Sequence, residues 1–230
     1  MIGSTGYDYE RFVRPLYSYA DADRLAEVPR GTSNRWVKGY RYFNEHGERI
    51  AQPSVTAGLN EEGDGAVSFF DLIGVKAIDG LRKAGFSLKA IRKVVDCCQD
   101  WLGVEYPLVT HRFKVDRKQI FIEAGDERLE NVLGNRGMLA WDAVLDPFLE
   151  TIDYHQEFAR RWWPRGKGVK VVIDSDYGFG FPVIAGSGVR TEIVAERRRV
   201  GEAYGEIAYD FGVSIPEVED ALKYEMPNAA

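Results

Sequence analysis

Residues 17–39 read YSYADADRLAEVPRGTSNRWVKG, a stretch that predicts two short helices separated by a tight turn. Ser18 is a typical N-cap residue, because its hydroxyl can accept a backbone N–H of the first helical turn. The helix that follows has its apolar residues at helical spacing, namely Ala22, Leu25 and Ala26. The segment 28–31, Val-Pro-Arg-Gly, breaks this helix, since proline and glycine interrupt regular helical hydrogen bonding.

The second helix begins at Thr32 or Ser33, either of which can cap it, and ends at Gly39. Two short helices around a tight turn with a small apolar anchor, here Val28, predict a helix-turn-helix. In that motif the second helix enters the major groove of DNA with its N-terminal residues leading. We therefore expect DNA contacts from eight residues. Those nearer the bases are Thr32, Ser33 and Asn34, and those on phosphates are Arg30, Arg35, Lys38, Arg41 and Arg49.

The next segment, YRYFNEHGERIAQP at residues 40–53, alternates polar and bulky side chains around His46-Gly47. Alternation about a glycine turn is typical of a two-stranded hairpin. A hairpin that directly follows a helix-turn-helix suits a wing, and it places Arg41 and Arg49 on its two strands.

A second pair of helices is predicted between residues 67 and 102. Its two halves are separated by a break at residues 84–86, Ala-Gly-Phe, after which Ser87 caps the second helix. The core positions are Phe69, Leu72, Ile73, Ile78 and Leu81 in the first helix, and Leu88, Ile91, Val94 and Val95 in the second. Five cations near the break are Arg82, Lys83, Lys89, Arg92 and Lys93. They suit either a phosphate contact or an ordinary solvated helix surface.

This order of elements resembles the MerR-like winged helix-turn-helix over residues 15–100. The resemblance rests on the arginine–aromatic pair Arg35-Trp36 and on the segment AGFSLKAIRKV. It implies DNA binding by the second helix and the wing. The chain departs from the family pattern at Val37-Lys38 and lacks the family's long dimerising coiled coil beyond residue 105.

The middle of the chain predicts mixed structure. Residues 110–124, THRFKVDRKQIFIEA, alternate in the manner of a β-hairpin, and residues 127–163 return to helical spacing. That helical region ends in Arg-Arg-Trp-Trp-Pro at 160–164, and its tryptophans are more typical of a core than of an interface.

Residues 170–199, KVVIDSDYGFGFPVIAGSGVRTEIVAERRR, place four glycines between a β-branched run and a helix. Neither glycine pair continues into the Gly-x-Gly-x-x-Gly of a dinucleotide site, and no Gly-Lys-Ser/Thr is present. Helical patterns follow without a second strand, so no crevice for a nucleotide is expected. Asp174 and Asp176 suit turn hydrogen bonds better than acid–base chemistry. The three histidines lack metal-ligand spacing, and no cofactor or metal site is predicted.

The same stretch and the helices after it resemble a short bacterial domain that is predicted to be an antitoxin module. The matching residues are Gly180, Pro182, Val183, Ile184, Gly186, Thr191, Gly201, Glu202, Ile207, Ala208, Val218, Ala221, Leu222 and Tyr224. In physical terms, Gly180 and Gly186 permit positive φ, the pair Val183-Ile184 plugs a helical bundle, and Thr191 is a candidate N-cap. The glycine segment is therefore interpreted as a β-arm rather than a catalytic loop.

Taken together, residues 15–227 resemble a VapB-type antitoxin of the longer, two-domain kind. That resemblance implies a non-catalytic protein whose partner is a PIN-domain endoribonuclease toxin, and which represses its own operon by binding operator DNA. A homodimer is expected, because two recognition helices supply affinity that one cannot. The alternative is a stand-alone MerR-like regulator that responds to a small ligand. An enzyme that uses Asp174 and Asp176 is the weakest of the three hypotheses.

Bulk properties agree with a globular, non-membrane protein. The 230 residues are 45% hydrophobic and 29% charged, with a net charge of -6. Residues 1–118 contain 18 Lys/Arg and 16 Asp/Glu, whereas the remainder contain 12 and 20, so the first half is better suited to nucleic acid. No apolar run has the roughly 18 residues of a membrane span, and no signal-peptide pattern is seen, so the cytoplasm is expected. The two cysteines, Cys97 and Cys98, are adjacent, which disfavours a disulfide or a metal pair.

The predicted fold class is mainly α with small β-hairpins. Three regions are expected. Residues 1–105 form a winged helix-turn-helix DNA-binding domain, residues 106–165 a connecting segment with a β-hairpin and helices, and residues 166–230 a compact helical domain of helix-turn-helix type with a β-arm.

Overall fold

A computed structural model describes residues 6–56, 66–114 and 141–226. The described residues divide into two compact units. The first contains residues up to 149 together with 154–159, and the second contains 150–153 and the residues from 160 onward. Helices predominate and the sheets are small and antiparallel, which confirms the predicted fold class at that level. The three-region division of the chain stays a prediction.

The first unit contains the predicted order of helix, turn, helix and hairpin. Its long helices are α1 (Gly6–Val13), α2 (Tyr19–Ala26), α3 (Phe69–Lys83) and α4 (Leu88–Leu102), and a short π-helix spans Asn34–Lys38. Its strands are β1 (Tyr17–Ser18), β2 (Tyr40–Phe43), β3 (Arg49–Gln52) and β4 (Ala66–Val67). Strand β1 pairs with β4 and β2 pairs with β3, both in antiparallel fashion.

Helix α2 is fixed at both ends. The Ser18 hydroxyl accepts the backbone N–H of Asp21 at 3.1 Å, so the predicted N-cap is confirmed. At the other end Glu27 adopts the left-handed conformation with φ of 57° and stops the helix. Lys76 of α3 donates to the carbonyl of Ala26 at 2.9 Å and to the Glu27 carboxylate at 3.1 Å. A cation at a helix C-terminus is favourable, and here it also attaches α2 to α3.

Helix α3 is the centre of the first unit, since its predicted core residues are fully buried and most of its other residues are buried as well. Around Phe70 lie the rings of Phe12, Tyr106 and Phe158, with centroid distances of 5.3, 5.5 and 5.6 Å. Such aromatic contacts add to the free energy gained by burial. The predicted cap of α4 is confirmed, because the Ser87 hydroxyl accepts the N–H of Ala90. Helix α3 has a cap that the sequence analysis did not predict, a capping box between Ser68 and Asp71.

Two predictions in the connecting segment are wrong. Residues 111–114 are helical, not extended, and the rest of the hairpin predicted at 110–124 lies outside the described residues. The second wrong prediction is the helix over residues 127–163. Among the described residues, 141–150 are helical, but strands β5 (Ile152–His155) and β6 (Phe158–Trp162) follow where a helix was predicted. The reason is long-range: Trp162 pairs with Ile173 in a sheet, a contact that local periodicity does not reveal.

The second unit packs a small sheet on a helical bundle. Strands β7 (Val171–Asp174) and β8 (Val183–Ile184) end a sheet of order β5-β6-β7-β8, and three helices follow: α5 (Thr191–Arg199), α6 (Tyr204–Phe211) and α7 (Ile215–Glu225). The hydrophobic core consists of Ile184, Val194, Ala195, Ile207, Ala208, Val218, Ala221 and Leu222. Ile184 therefore fills the bundle as the sequence predicted. No helix in the described ranges is long and apolar enough to cross a membrane.

Helix α5 starts differently from the prediction. Arg190 is the N-cap residue, and Thr191 lies inside the helix with its side chain buried. The Thr191 hydroxyl donates to the carboxylate of Glu225 at 2.5 Å and lies 3.3 Å from the carbonyl of Pro182. Thr191 thus joins the β-arm, α5 and the end of α7 instead of capping its own helix.

Candidate nucleic-acid interface

The turn between α2 and the Asn34–Lys38 helix is organised by one buried carboxylate. Asp23 is only 5% exposed, and its two oxygens accept the N–H of Gly31 at 2.5 Å and the N–H of Ser33 at 2.8 Å. The predicted cap by Thr32 or Ser33 is therefore wrong. Ser33 has helical dihedrals and makes no capping hydrogen bond. The cap comes from α2 because the fold brings its carboxylate beneath the turn.

Two of the predicted base-contacting residues face the interior. Thr32 and Ser33 are 4% and 0% exposed, so their hydroxyls cannot reach bases in this conformation. Each lies one turn before an apolar anchor, Trp36 or Val37, and shares its buried side of the helix. The predicted assignment of these two residues to base contact is corrected to a packing role. The remaining six predicted residues are all exposed: Arg30, Asn34, Arg35, Lys38, Arg41 and Arg49.

The backbone of the short helix is held by hydrogen bonds on the side that faces away from solvent. The Trp36 carbonyl accepts the N–H of Val55 at 2.7 Å and lies 3.2 Å from the Ser54 hydroxyl. On the solvent side, Arg35 folds back so that its Nε donates to the carbonyl of Gly31 at 3.3 Å. A long, exposed bond of this kind is weak, so the guanidinium can leave it for a phosphate or a base edge.

A chain of hydrogen bonds joins this support to α3. The Thr56 hydroxyl donates to Asp71 at 2.9 Å, and the Ser68 hydroxyl donates to the same carboxylate at 2.6 Å. Burial raises the pKa of Asp71, while the hydrogen bonds from Ser68 and Thr56 act in the opposite direction. The backbone N–H of Thr56 donates to the Ser54 hydroxyl, which in turn donates to the Trp36 carbonyl. These hydrogen bonds connect the N-terminus of α3 to the short helix and fix the position of that helix.

Gly39 sets the junction between the short helix and the hairpin. Its φ is 78°, and a Cβ placed there would lie 2.5 Å from the carbonyl oxygen of Gln52. Only glycine readily adopts this positive φ and also has no Cβ to clash with the Gln52 carbonyl. The junction forms an open depression of about 510 Å³ that is lined by Lys38, Gly39, Tyr40, Arg41, Ala51, Gln52 and Pro53. Two cations therefore border a concave surface between the predicted major-groove helix and the hairpin.

The two faces of the hairpin differ in chemistry. Arg41 pairs with Ala51, and Phe43 pairs with Arg49. Directly paired residues project to the same side of an antiparallel ladder, so these four side chains form one face, here called the arginine face. The opposite face contains Tyr40 and Tyr42, whose ring centroids are 6.0 Å apart. Phe43 is 72% exposed and lies at the loop end of the arginine face, opposite Arg49.

The hairpin loop is tightly structured around Asn44. Its side-chain oxygen accepts the N–H of His46 at 3.0 Å and the N–H of Glu48 at 2.9 Å. Its backbone N–H donates to the carbonyl of Glu48, also at 3.0 Å. An Asx turn of this type fixes the tip without help from the rest of the unit. Phe43 and Arg49, which flank the loop, are thereby held next to each other.

The basic segment around the break between α3 and α4 is partly engaged within the first unit. Arg82 donates to the carbonyl of Phe86 at 2.6 Å, and Lys83 pairs with Asp79 at 2.7 Å. Arg92 is half-buried and donates to Gln52 of β3 at 3.1 Å, which places α4 beside the hairpin. Lys89 and Lys93 are exposed. These two lysines are the part of the segment that suits an added phosphate contact.

The glycine loop of the second unit has structural partners. The Asp174 side chain accepts the N–H of Asp176 at 2.8 Å, as expected for a turn, and also binds Arg161. Arg160 pairs with Asp176 at 3.0 Å. A small cavity of about 110 Å³ lies beside Asp174 and Gly186. Within the described ranges, no group of three or more His, Cys, Asp or Glu side chains could hold a metal ion.

Comparisons with known proteins agree with the class of fold that these features define. Residues 15–95 match the family model described as "Putative DNA-binding HTH domain". Residues 171–224 match a second model, "Protein of unknown function (DUF433)". The predicted helix-turn-helix is thus confirmed as similar to a DNA-binding class. Neither the winged form nor a MerR-like assignment follows from these matches.

Particular relatives match most of the chain. It is 27% identical over 226 residues to the "Putative antitoxin VapB45" of Mycobacterium tuberculosis (strain ATCC 25618 / H37Rv), covering 92% of this chain and 94% of the relative. It is 22% identical over 232 residues to "Uncharacterized protein Rv2308" of the same organism, covering 92% and 90%. The crystal structure of Rv2018 from Mycobacterium tuberculosis superposes with a TM-score of 0.66 at 23% identity, covering 91% of this chain and 98% of that one. The similarity to an antitoxin supports a non-enzymatic role, and the structural match supports the fold.

Proposed function

We propose that this protein is a non-catalytic, VapB-type antitoxin that binds operator DNA and a toxin. The DNA-binding part of this proposal rests on one observation, the exposed basic surface formed by the short helix and the hairpin. Five cations on these elements and the preceding turn are exposed, and the short helix begins with Asn34, an exposed side chain that can bond an adenine edge. The surface lies within the segment that is similar to a DNA-binding helix-turn-helix family.

The roles of the residues follow from their positions. Asn34 and Arg35 lead the helix that enters the major groove, and they read bases. Arg30, Lys38, Arg41 and Arg49 bind phosphates on either side, with the hairpin acting as a MerR-like wing. Thr32 and Ser33 support the helix by packing on its buried side. Since phosphate contacts release counterions, the affinity should fall steeply with salt.

The toxin-binding half rests on the similarity to VapB45, which is named as an antitoxin. We assign this role to the second unit, with a PIN-domain endoribonuclease as the partner. Several large apolar side chains of this unit are exposed, among them Phe179 at 81%, Val200 at 79% and Tyr209 at 88%. Aromatic side chains of this kind are enriched at the centres of protein interfaces.

Autorepression requires that the protein bind the operator of its own operon. A homodimer on a palindromic operator supplies the affinity, since one short helix spans only a few base pairs. Because the two roles are assigned to different units, we propose that the complex with the toxin also binds the operator. The complex of the two proteins is therefore the expected repressor.

The alternative function, a stand-alone regulator that responds to a small ligand, needs a pocket near residues 105–165. The cavity beside Tyr106 and Leu108 has a volume of about 10 Å³, close to the minimum for one water molecule. Phe113 and Trp141, two large aromatic residues of this segment, are fully buried. No observation among the described residues therefore favours this alternative.

The proposal is tested by co-expression with the adjacent open reading frame, followed by affinity purification and an RNA-cleavage assay. We expect a stoichiometric complex whose partner cleaves RNA only after it is separated from this chain. Binding of the complex to the upstream DNA of the operon is measured in parallel by fluorescence anisotropy. If no partner co-purifies while the DNA still binds, the antitoxin half is wrong and the regulator hypothesis replaces it.

A further inference from the structure

We infer that Phe43 acts as an apolar wedge that enters the minor groove of duplex DNA and bends it. This inference rests on the proposed DNA binding but goes beyond it, since it assigns a residue that reads DNA deformability rather than base edges. Phe43 has no polar atom, so it cannot bind a phosphate. Its 72% exposure also shows that it contributes little to the packing of the first unit.

The position of Phe43 within the arginine face favours duplex DNA as the occupant. Arg49 lies directly opposite Phe43 on the neighbouring strand, and Arg41 lies two residues before it on the same strand. Both arginines are exposed and, among the described residues, neither forms an ion pair. An apolar ring with a cation on two sides matches a groove, in which stacked bases lie between two rows of phosphates.

The rigidity of the hairpin makes insertion feasible. A side chain that separates two base pairs must be held firmly, because unstacking a base step is unfavourable. Three hydrogen bonds to Asn44, described above, fix the loop that begins at the residue after Phe43. The attachment of Arg92 to Gln52 fixes the other end of the hairpin to α4. The ring is therefore presented by a structured element rather than by a mobile loop.

The location of the hairpin relative to the short helix agrees with this role. Gly39 joins the two elements within the first unit without room for a side chain, so both approach the same stretch of duplex. When the Asn34–Lys38 helix lies in a major groove, a hairpin at its end reaches the adjacent minor groove. Apolar side chains that enter from that groove kink the duplex toward the major groove by roughly 20–90°.

The consequence for specificity is indirect readout. Pyrimidine–purine steps such as TA and CA unstack more easily than other steps. A wedge at Phe43 should therefore favour operators that place such a step opposite the hairpin, although no side chain there hydrogen-bonds to a base. Substituting this step by a stiff A-tract should reduce affinity without altering any direct contact.

The experiment compares wild type with Phe43→Ser, Phe43→Leu and Tyr42→Ser on the DNA upstream of the chain's own coding sequence. Bend angles are measured by energy transfer between dyes at the two ends of a short duplex, with the protein at saturation. Affinity is measured by anisotropy on the same duplex and on each of its single strands. Tyr42→Ser is the matched control, because Tyr42 is 42% exposed on the opposite face of the same strand.

We expect Phe43→Ser to abolish most of the bend and to weaken duplex binding by roughly five- to a hundredfold, the range found when a ring that contacts bases is removed. Phe43→Leu should retain most of the bend, since leucine also serves as a wedge. Tyr42→Ser should leave the bend unchanged. Thermal unfolding of each variant should match wild type, which separates the effect from misfolding.

Three results would overturn the inference. If wild type binds and bends the duplex but Phe43→Ser does so equally, the wedge is wrong while the proposed DNA binding stands. If Phe43→Ser weakens binding to single strands as much as to the duplex, the ring is a stacking platform for single-stranded nucleic acid. If wild type fails to bind the upstream duplex at all, the DNA-binding half of the proposed function fails together with the wedge.

Discussion

The carboxylate of Asp23 accepts the backbone N–H of Ser33 at 2.8 Å, although the two residues are ten positions apart and belong to different helices. With the second bond to Gly31, this contact defines the turn of the helix-turn-helix. A buried carboxylate that satisfies two N–H groups is worth more than a typical exposed hydrogen bond. The position of the helix that is proposed to face DNA therefore depends on a buried residue of α2 that lies outside the proposed interface.

Replacing Asp23 by alanine should lower the free energy of unfolding by roughly 2–3 kcal/mol, because the buried N–H of Ser33 and the part-buried N–H of Gly31 lose their acceptor. The measurement is urea denaturation followed by circular dichroism. Asp21→Ala is the matched control, since Asp21 lies on the same helix but its side chain bonds Ser18 at an exposed site. Equal losses for the two variants would show that the turn does not depend on Asp23.

Replacing Arg35 by alanine should weaken binding to the upstream DNA by about tenfold and reduce the salt slope by about 1. The physical reason is the loss of one cation from the leading end of the short helix. Anisotropy titrations at several salt concentrations give both quantities. Lys223→Ala removes an exposed cation from the second unit and should change neither. An unchanged salt slope and affinity for Arg35→Ala would remove this helix from the interface.

The pair Gly39→Ala and Gly47→Ala separates steric clash from backbone strain. Both glycines have positive φ, 78° and 75°, but a Cβ meets Gln52 only at position 39. We expect Gly47→Ala to cost about 1 kcal/mol, in line with the left-handed penalty for a residue with a side chain. Gly39→Ala should cost clearly more and should weaken DNA binding too. Thermal unfolding and anisotropy check these outcomes, and similar melting temperatures would contradict the described junction.

Asp71 should give the first unit a pH-dependent stability relative to an Asp71→Asn variant, which does not titrate there. Burial raises the pKa of Asp71 above its ordinary value of 3.8. A raised pKa in the folded state means that the Asp71 contribution is complete below the unfolded pKa and declines as pH rises through the folded pKa. The difference in unfolding free energy, wild type minus variant, should therefore fall over the pH window that begins near the ordinary pKa of 3.8 and extends through the raised folded pKa. A difference that increased over this window would have the wrong sign.

Phe179 should tolerate substitution without loss of stability. It has φ of 56° between two left-handed glycines, and its ring is 81% exposed, so packing does not compensate the strain. Asparagine accepts this conformation more readily. Phe179→Asn should therefore leave the free energy of unfolding unchanged or raise it by up to about 1 kcal/mol. A fall of the midpoint in a urea titration would show that the ring packs in solution. If this loop contributes to toxin binding, the same variant should lose affinity in the co-expression assay.

The sequence predicts those features that depend on neighbours along the chain. Ser18 and Ser87 are recognisable as caps, the apolar periodicity of α3 identifies its buried residues, and Gly39 is identified as the end of the short helix. The alternation around His46-Gly47 predicts the hairpin, whose observed register brings Arg41 and Phe43 to one face. Local pattern is sufficient here because each signal acts within a few residues.

The features that the sequence does not predict depend on contacts between distant segments. Asp23 resembles any polar residue of an amphipathic helix until the fold places it under the turn, and the burial of Thr32 and Ser33 follows from that placement. The strand character of Trp162 depends on its pairing with Ile173. Thr191 has the right residue type for a cap but finds Glu225, 34 residues away.

The absence of space at Gly39 also constrains how this scaffold can diversify. The short helix and the hairpin meet backbone to backbone, so a change in the length of the connection would displace the short helix from the hairpin, the two elements that are proposed to face DNA. Insertions and deletions at this junction are thus expected to be rare among natural variants. New target sequences can arise instead by exchange of exposed side chains, chiefly Asn34, Arg35 and Phe43, on a framework of constant spacing.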